Sequence, residues 1–592
     1  MAGQTIRTDV LIVGGGGAGF RAAIGAREKG AKAVLLSKGP LARCGASPMA
    51  GADFTLDGRS LSALGYPGAP GDSEEKVFHD IVTQGFFLND QKRVEHYVRQ
   101  APARLKEMID WGLAILISEE RAVFTSGLGL MDVLLRRART VGVDLFEDVM
   151  LIDLVVEQGR IAGALALDVR KGEFIRVAAK AVVMAAGGWH KAFWPNTGMR
   201  DLSGEGMVAA HRAGADLGNM EFITFCCNVL LEPPAWRGSL ATYIMGMLAG
   251  HKLTNSLGQA FLDRYDPHTV RIGTSTEWNK SFVSYATARE IREGRGTPHG
   301  GVYFRRGDVP WENYELIASM VFPNWKYKAL DLAELGRRFR ENEPSEVGAV
   351  VEYFEGGMIV NEAFETRVPG LFAAGECTLG AFGANRVFSA ITEMLVHGAD
   401  AGRTAGEYAR KASAPMPKAE AFAEKVRKAE RPLQRKNDGL RPAPLRRRVQ
   451  QMAHKHLGPI RTGKELAILL EEIRRMKRDE LPFLQTTAEG RLYNKEWLDA
   501  IELESILDLL EFSAASALQR TESRGVHFRE DHPNTDNDHW LKESVVRRTD
   551  GGFELTTRPV CTNSLTPPGG RTPYLEMIKT MMESHSDIGG HH

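Results

Sequence analysis

Residues 8–39 read TDVLIVGGGGAGFRAAIGAREKGAKAVLLSKG. Asp9 precedes an apolar strand, Val10 to Val13. Gly14, Gly16 and Gly19 then fall in G-x-G-x-x-G spacing, an Ala-rich helix follows, and Ala33 to Leu36 read as a second strand. Each glycine has its own physical role. Gly14 allows the tight turn, Gly16 lets backbone approach a pyrophosphate, and Gly19 packs helix on strand. The helix N-terminus turns its positive dipole end to the phosphates. A βαβ unit of this kind predicts dinucleotide binding. Where many such sites carry an acid for a ribose, this chain has Ser37 and Lys38, which does not point to NAD.

Working outward, two later stretches sharpen the choice. KAVVMAAGGW (180–189) is a strand ending in Ala185-Ala186-Gly187-Gly188, and GLFAAGECT (370–378) is a strand ending in Gly375-Glu376. Both resemble the later FAD-contacting segments of two-dinucleotide-fold flavoproteins, and Glu376 is the residue expected to bond ribityl or ribose hydroxyls.

The rest of the composition mainly excludes. A chain of 592 residues is too long for one compact core, so several domains are expected. Lys+Arg and Asp+Glu each total 75, so no net field favours nucleic acid or an anionic membrane. The five cysteines (Cys44, Cys226, Cys227, Cys377, Cys561) form no C-x-x-C pair. That argues against a disulfide framework, an internal iron–sulfur cluster or a structural zinc site. No metal site is expected. With no signal peptide and no apolar run long enough for a bilayer, a cytoplasmic location is expected, with membrane contact only through a partner.

Five stretches together resemble the flavoprotein subunit of the succinate dehydrogenase/fumarate reductase family: the N-terminal fingerprint, residues 72–112, SGEGMVAAHRAGADLGNMEF (203–222), PGLFAAGECTLGAFGANRVFSAITE (369–393) and TESRGVHFREDHPNTDNDHWLKES (521–544). The resemblance implies an α/β FAD-binding domain of the two-dinucleotide-fold type in two parts, 1–228 and 351–425. An α+β capping insert would span 229–350, a helical domain 426–548 and an extended tail 549–592. The Pro- and Arg-rich stretch AERPLQRKNDGLRPAPLRRR (429–448) reads as a linker into the helical domain. Carried over position by position, the resemblance assigns FAD contacts to Gly14, Gly16, Gly19, Ser37, Lys38, Gly45, Ala186, Gly187, Glu205, Glu376, Arg386 and Ser389. Gly45 stands where many members carry the histidine that attaches FAD covalently, so FAD is expected to be non-covalent.

The substrate end departs from the family. One substrate histidine is replaced by Cys226 in TFCCNV, and a polar loop by TYIMGMLAGHK, which brings in His251. The proton-shuttle arginine is replaced by Lys280 in NKSFVS, and a second substrate histidine by Glu352 in VEYFEGGM. Arg386 survives in GANR, where the family clamps a substrate carboxylate; its planar fork suits that role and keeps its charge. Cys226, His251, Lys280, Glu352 and Arg386 are therefore the candidate substrate residues. Glu352 would repel a substrate carboxylate unless Lys280 pairs with it. It could instead be a general base, or bind a cationic or hydroxylated group. Three readings follow: a family oxidoreductase whose small, anionic substrate is neither fumarate nor succinate, an ordinary fumarate reductase or succinate dehydrogenase, and a flavin electron relay with a sealed pocket. The first also resembles the adenylylsulfate reductase flavoprotein subunit. All three imply an iron–sulfur electron-transfer partner.

Overall fold

The computed structural model describes residues 4–50, 53–242, 251–266, 280–313, 315, 330–434 and 439–584. The expected first unit is present: β1 (Thr5–Val13), α1 (Gly17–Glu28) and β2 (Ala33–Leu36). β1 lies between β2 and the long strand Glu173–Met184, parallel to both, with Val10 opposite Ala33 on one side and Ala181 on the other. Asp144–Phe146 extends the parallel sheet beyond β2, and Leu371–Ala373 adds to the other side at Val182–Met184. The antiparallel strands Val149–Glu157 and Arg160–Asp168 complete seven strands. Helices on its faces explain why Val10, Leu11, Ile12, Val182 and Val183 are continuously apolar rather than alternating: each is fully buried.

A second sheet, which includes the strands of the expected capping insert, runs in the order Ile223–Leu230, Ser345–Phe354, Val302–Arg305, Lys252–Thr254, antiparallel throughout. The helix Lys280–Arg292 packs on it. The boundaries expected at 228/229 and 350/351 both fall inside strands, Ile223–Leu230 and Ser345–Phe354, which pair with each other. The expected insert and the expected FAD-binding domain are thus joined by two bonded strands, the second of which carries Glu352.

The C-terminal region holds the long helices Pro442–His456, Gly463–Asp479 and Lys495–Gln519. The expected linker is a helix in part. Ala419–Glu430 is helical, and Arg446 to Arg448 lie in a helix that opens with Pro442, whose missing N–H is harmless in a first turn. The tail is not simply extended. Lys542–Thr549 and Gly552–Pro559 form a hairpin, and Tyr574–Ser584 is a helix whose Tyr574, Met577, Ile578 and Met581 are buried at one- and three- to four-residue spacing. Among the described residues no helix is long and apolar enough to cross a membrane.

Candidate FAD and substrate site

A cavity of about 410 Å³ opens at the carboxyl end of β1, lined by Gly14 to Ala18, Lys38, Gly45, Ala186, Gly187, Glu205, Glu376 and Arg386. Position 14 admits no side chain: its φ is +125°, and a Cβ would lie 2.0 Å from the Ala185 carbonyl oxygen. At Gly19 a Cβ would fall 1.9 Å from the Gly14 oxygen, so this glycine sets the close packing of α1 on the turn and does not itself line the cavity. Glu376 accepts the Gly188 N–H through Oε2 (3.1 Å), while its buried Oε1 has no partner. Burial raises its pKa. A backbone cradle at a helix N-terminus followed by an orphaned acceptor fits a pyrophosphate joined to a polyol, the two parts FAD would place there.

Lys38 bonds Glu205 and Glu502, each at 2.8 Å, and the Ser203 hydroxyl. Burial opposes its charge, but the two carboxylates outweigh it and raise its pKa. Gly45, at φ +75°, donates its N–H to Asp201 (2.9 Å) and has no side chain to bond a flavin. Two expected contacts lie elsewhere. Ser37 is buried against Gly39 and Cys44 and is not among the lining residues. Ser389 caps the helix Ala390–Lys411, accepting from the N–H groups of Ile391 (3.1 Å) and Thr392 (3.2 Å), and its hydroxyl donates to the Asp53 carbonyl.

At the other end, three of the five candidate substrate residues meet. Glu352 Oε2 receives Lys280 Nζ at 2.7 Å and Arg386 Nη2 at 3.2 Å. Burial works against the Glu352 charge, but Lys280 and then Arg386 prevail and hold its carboxyl well below the usual range. Glu352 and Arg386 line the cavity; the Lys280 side chain, 1% exposed, does not. Arg386 is fixed further by Nη1 to the Phe388 carbonyl (3.3 Å) and by the Tyr353 ring, 5.0 Å from Cζ. Cys226 and His251 are not brought there. Cys226 is wholly buried in the cap core on a strand covered on both faces, and His251 stacks on Phe304 at 5.2 Å.

Two residues went unnoticed in the sequence. His190 lines the cavity, with Nε2 2.7 Å from the Glu352 carbonyl oxygen. Its position just after the AAGGW strand end was the available signal. Glu355, 4% exposed, accepts from the Thr224 hydroxyl and from the Arg386 N–H (3.3 Å). Burial outweighs these and pushes its pKa up to about 7. Only the fold brings Thr224 to it, so no local signal existed.

Comparison with known proteins fits this geometry. Residues 9–122 and 117–390 match the FAD binding domain family, and residues 446–573 match the fumarate reductase flavoprotein C-terminal family. The chain is 30% identical to the fumarate reductase flavoprotein subunit of Mycobacterium tuberculosis, over 96% of this chain and 99% of that protein. A solved Sdh1 structure from Mycobacterium smegmatis superposes with TM-score 0.82 at 28% identity, covering 95% and 96% of the two chains. The adenylylsulfate reductase of Archaeoglobus fulgidus shares the fold, with TM-score 0.76 at 20% identity over 95% and 97%. With both ends of the chain matched and the cradle shaped for the cofactor, this is an FAD-dependent oxidoreductase of the succinate dehydrogenase/fumarate reductase flavoprotein family.

Proposed function

We propose that the chain is the flavin-bearing subunit of an oxidoreductase whose substrate carries one negative charge at the reacting end, and is neither fumarate nor succinate. The observation that carries this reading is the single oxygen, Glu352 Oε2, shared by Lys280 and Arg386. The three formal charges sum to about +1, which suits a monoanion. A dicarboxylate clamped by Arg386 would set its second carboxylate against Glu352. At ~4 Å and an effective dielectric of ~20 that repulsion is about 4 kcal/mol, or roughly a thousandfold in affinity, before Lys280 offsets part of it.

Bound FAD supplies hydride exchange with a substrate carbon and onward electron transfer. Arg386 holds the substrate carboxylate, its fork oriented by Phe388 and Tyr353. A carboxylate held as low as Glu352 is a weak base, so it receives a hydroxyl or ammonium group of the substrate. Lys280, whose Nζ–H donates to Glu352, holds the proton behind it. The charged pair lining the cavity favours an enzyme over a relay with a sealed pocket. With no C-x-x-C pair among its five cysteines, the chain would pass electrons to an iron–sulfur partner. The reading predicts co-purification with a cysteine-rich protein.

The 30% identity to a fumarate reductase flavoprotein subunit favours the ordinary dicarboxylate enzyme instead. Anaerobic recolouring of the chemically bleached flavin decides between them. A monoanionic enoate such as crotonate should restore the yellow colour well ahead of fumarate; rapid recolouring by fumarate alone defeats the proposal.

A further inference from the structure

His190 offers a second orphaned acceptor beside the one on Glu376. Its Nε2 lies 2.7 Å from the Glu352 carbonyl oxygen, which can only accept, so in the neutral ring the proton is on Nε2 and Nδ1 carries a lone pair. That Nδ1 is buried and has no partner. The ring has little freedom to turn. Phe354 meets it edge-on at 5.1 Å, and it lies directly over Gly198, where a Cβ would come within 2.5 Å of the ring Cγ. Glu376 Oε1, likewise buried and without a hydrogen-bond partner, is 3.7 Å from Nε2, within ion-pair distance but beyond hydrogen-bond reach. Both residues line the cavity.

Two neighbouring acceptors without donors, in one cavity, call for a ligand carrying several O–H groups. The flavin's ribityl chain is such a polyol, whereas the hydroxyl or ammonium group inferred for a substrate clamped by Arg386 is already taken up by Glu352. We propose that His190 is a flavin-contacting residue, its Nδ1 accepting a hydrogen bond from a ribityl hydroxyl alongside Glu376. The same ring, through Nε2, holds the backbone of Glu352. It therefore couples the placement of the flavin to that of the substrate-facing carboxylate.

The test is equilibrium titration of the flavin-depleted full-length chain with FAD and, separately, with ADP, which shares the phosphate cradle but lacks the ribityl group. His190→Phe should weaken FAD binding about tenfold or more and leave ADP binding unchanged. Asparagine places a polar atom near Nδ1 and glutamine near Nε2, so the two variants separate the ring's two contacts. His190→Asn should restore most of the FAD affinity and His190→Gln little of it. Unchanged FAD affinity in His190→Phe would overturn the proposal. So would FAD and ADP weakening together, or rescue by glutamine rather than asparagine, since these assign the imidazole only a structural role at Glu352.

Discussion

The two ends of the cavity obey different rules. At the phosphate end the groups facing the ligand are backbone, and side chains matter mainly by being absent: Gly14 tolerates no Cβ, and Gly19 sets the helix packing. At the substrate end the arrangement depends on side chains, and one carboxylate, Glu352, offsets one of the two positive charges of Lys280 and Arg386. A cradle made of backbone can persist while the substrate changes, because its geometry depends on steric exclusion and dipoles rather than on particular functional groups. The family is therefore legible at one end, and the proposed change of substrate rests on the other.

The largest expected effect comes from the cradle. Gly14→Ala forces a Cβ to 2.0 Å from the Ala185 oxygen and an alanine to φ +125°. It should yield flavin-free protein, read from the absence of flavin absorbance after purification. A yellow Gly14→Ala protein would break the reading of this end as rigid backbone. In the unaltered protein, acid should release all the flavin, because Gly45 has no side chain to bond it; colour remaining in the precipitate would refute that.

At the substrate end the corresponding change is electrostatic. Glu352→Gln keeps the shape and removes the charge, leaving Lys280 and Arg386 to present about +2. Binding of a dicarboxylate such as succinate, followed by perturbation of the flavin spectrum, should tighten by up to about a thousandfold relative to a monocarboxylate. An unchanged ratio would show that Glu352 does not face the substrate.

How much of this was readable beforehand follows from the range of each interaction. The glycine spacing acts within a dozen residues, and the GANR arginine stands in a local motif, so both were evident. The Lys280–Glu352 pair could be raised only because like-charge repulsion demanded relief. Cys226, placed by alignment, is absent from the cavity lining for a different reason. Alignment to a family position does not say which way a strand side chain faces, and the pairing of Ile223–Leu230 shifts register between Cys226 and Val229. The Glu355–Thr224 bond joins residues 131 apart, and nothing local announces it.

Glu355 carries the next prediction. Its carboxyl, ordinarily near 4.5, is pushed up to about 7 in the fold. The folded state therefore binds more protons than the unfolded state between about pH 4.5 and 7. The contribution of this group to stability is present below that window and is lost as pH rises through it. The shift of about 2.5 units corresponds to roughly 3 kcal/mol. Other carboxyls titrate over the same range, so the readout is a difference: Glu355→Gln should flatten the pH dependence of Tm between pH 5 and 8. Identical curves for the two proteins would remove Glu355 as the buried acid behind Arg386.

The smallest effect separates a structural contact from a cofactor contact at the junction of the two ends. Ser389 was expected to touch FAD, yet its oxygen accepts from Ile391 and Thr392 and its hydroxyl donates to the Asp53 carbonyl. Removing an N-cap hydroxyl costs about 1 kcal/mol of stability. Ser389→Ala should therefore lower Tm by a few degrees while leaving FAD affinity within about twofold, the difference expected when a side chain serves the helix rather than the ligand. Should FAD binding weaken tenfold with Tm unchanged, the hydroxyl would have to leave its cap to meet the flavin. The distinction between a backbone-built cradle and a side-chain-built substrate end would then lose its boundary at this helix.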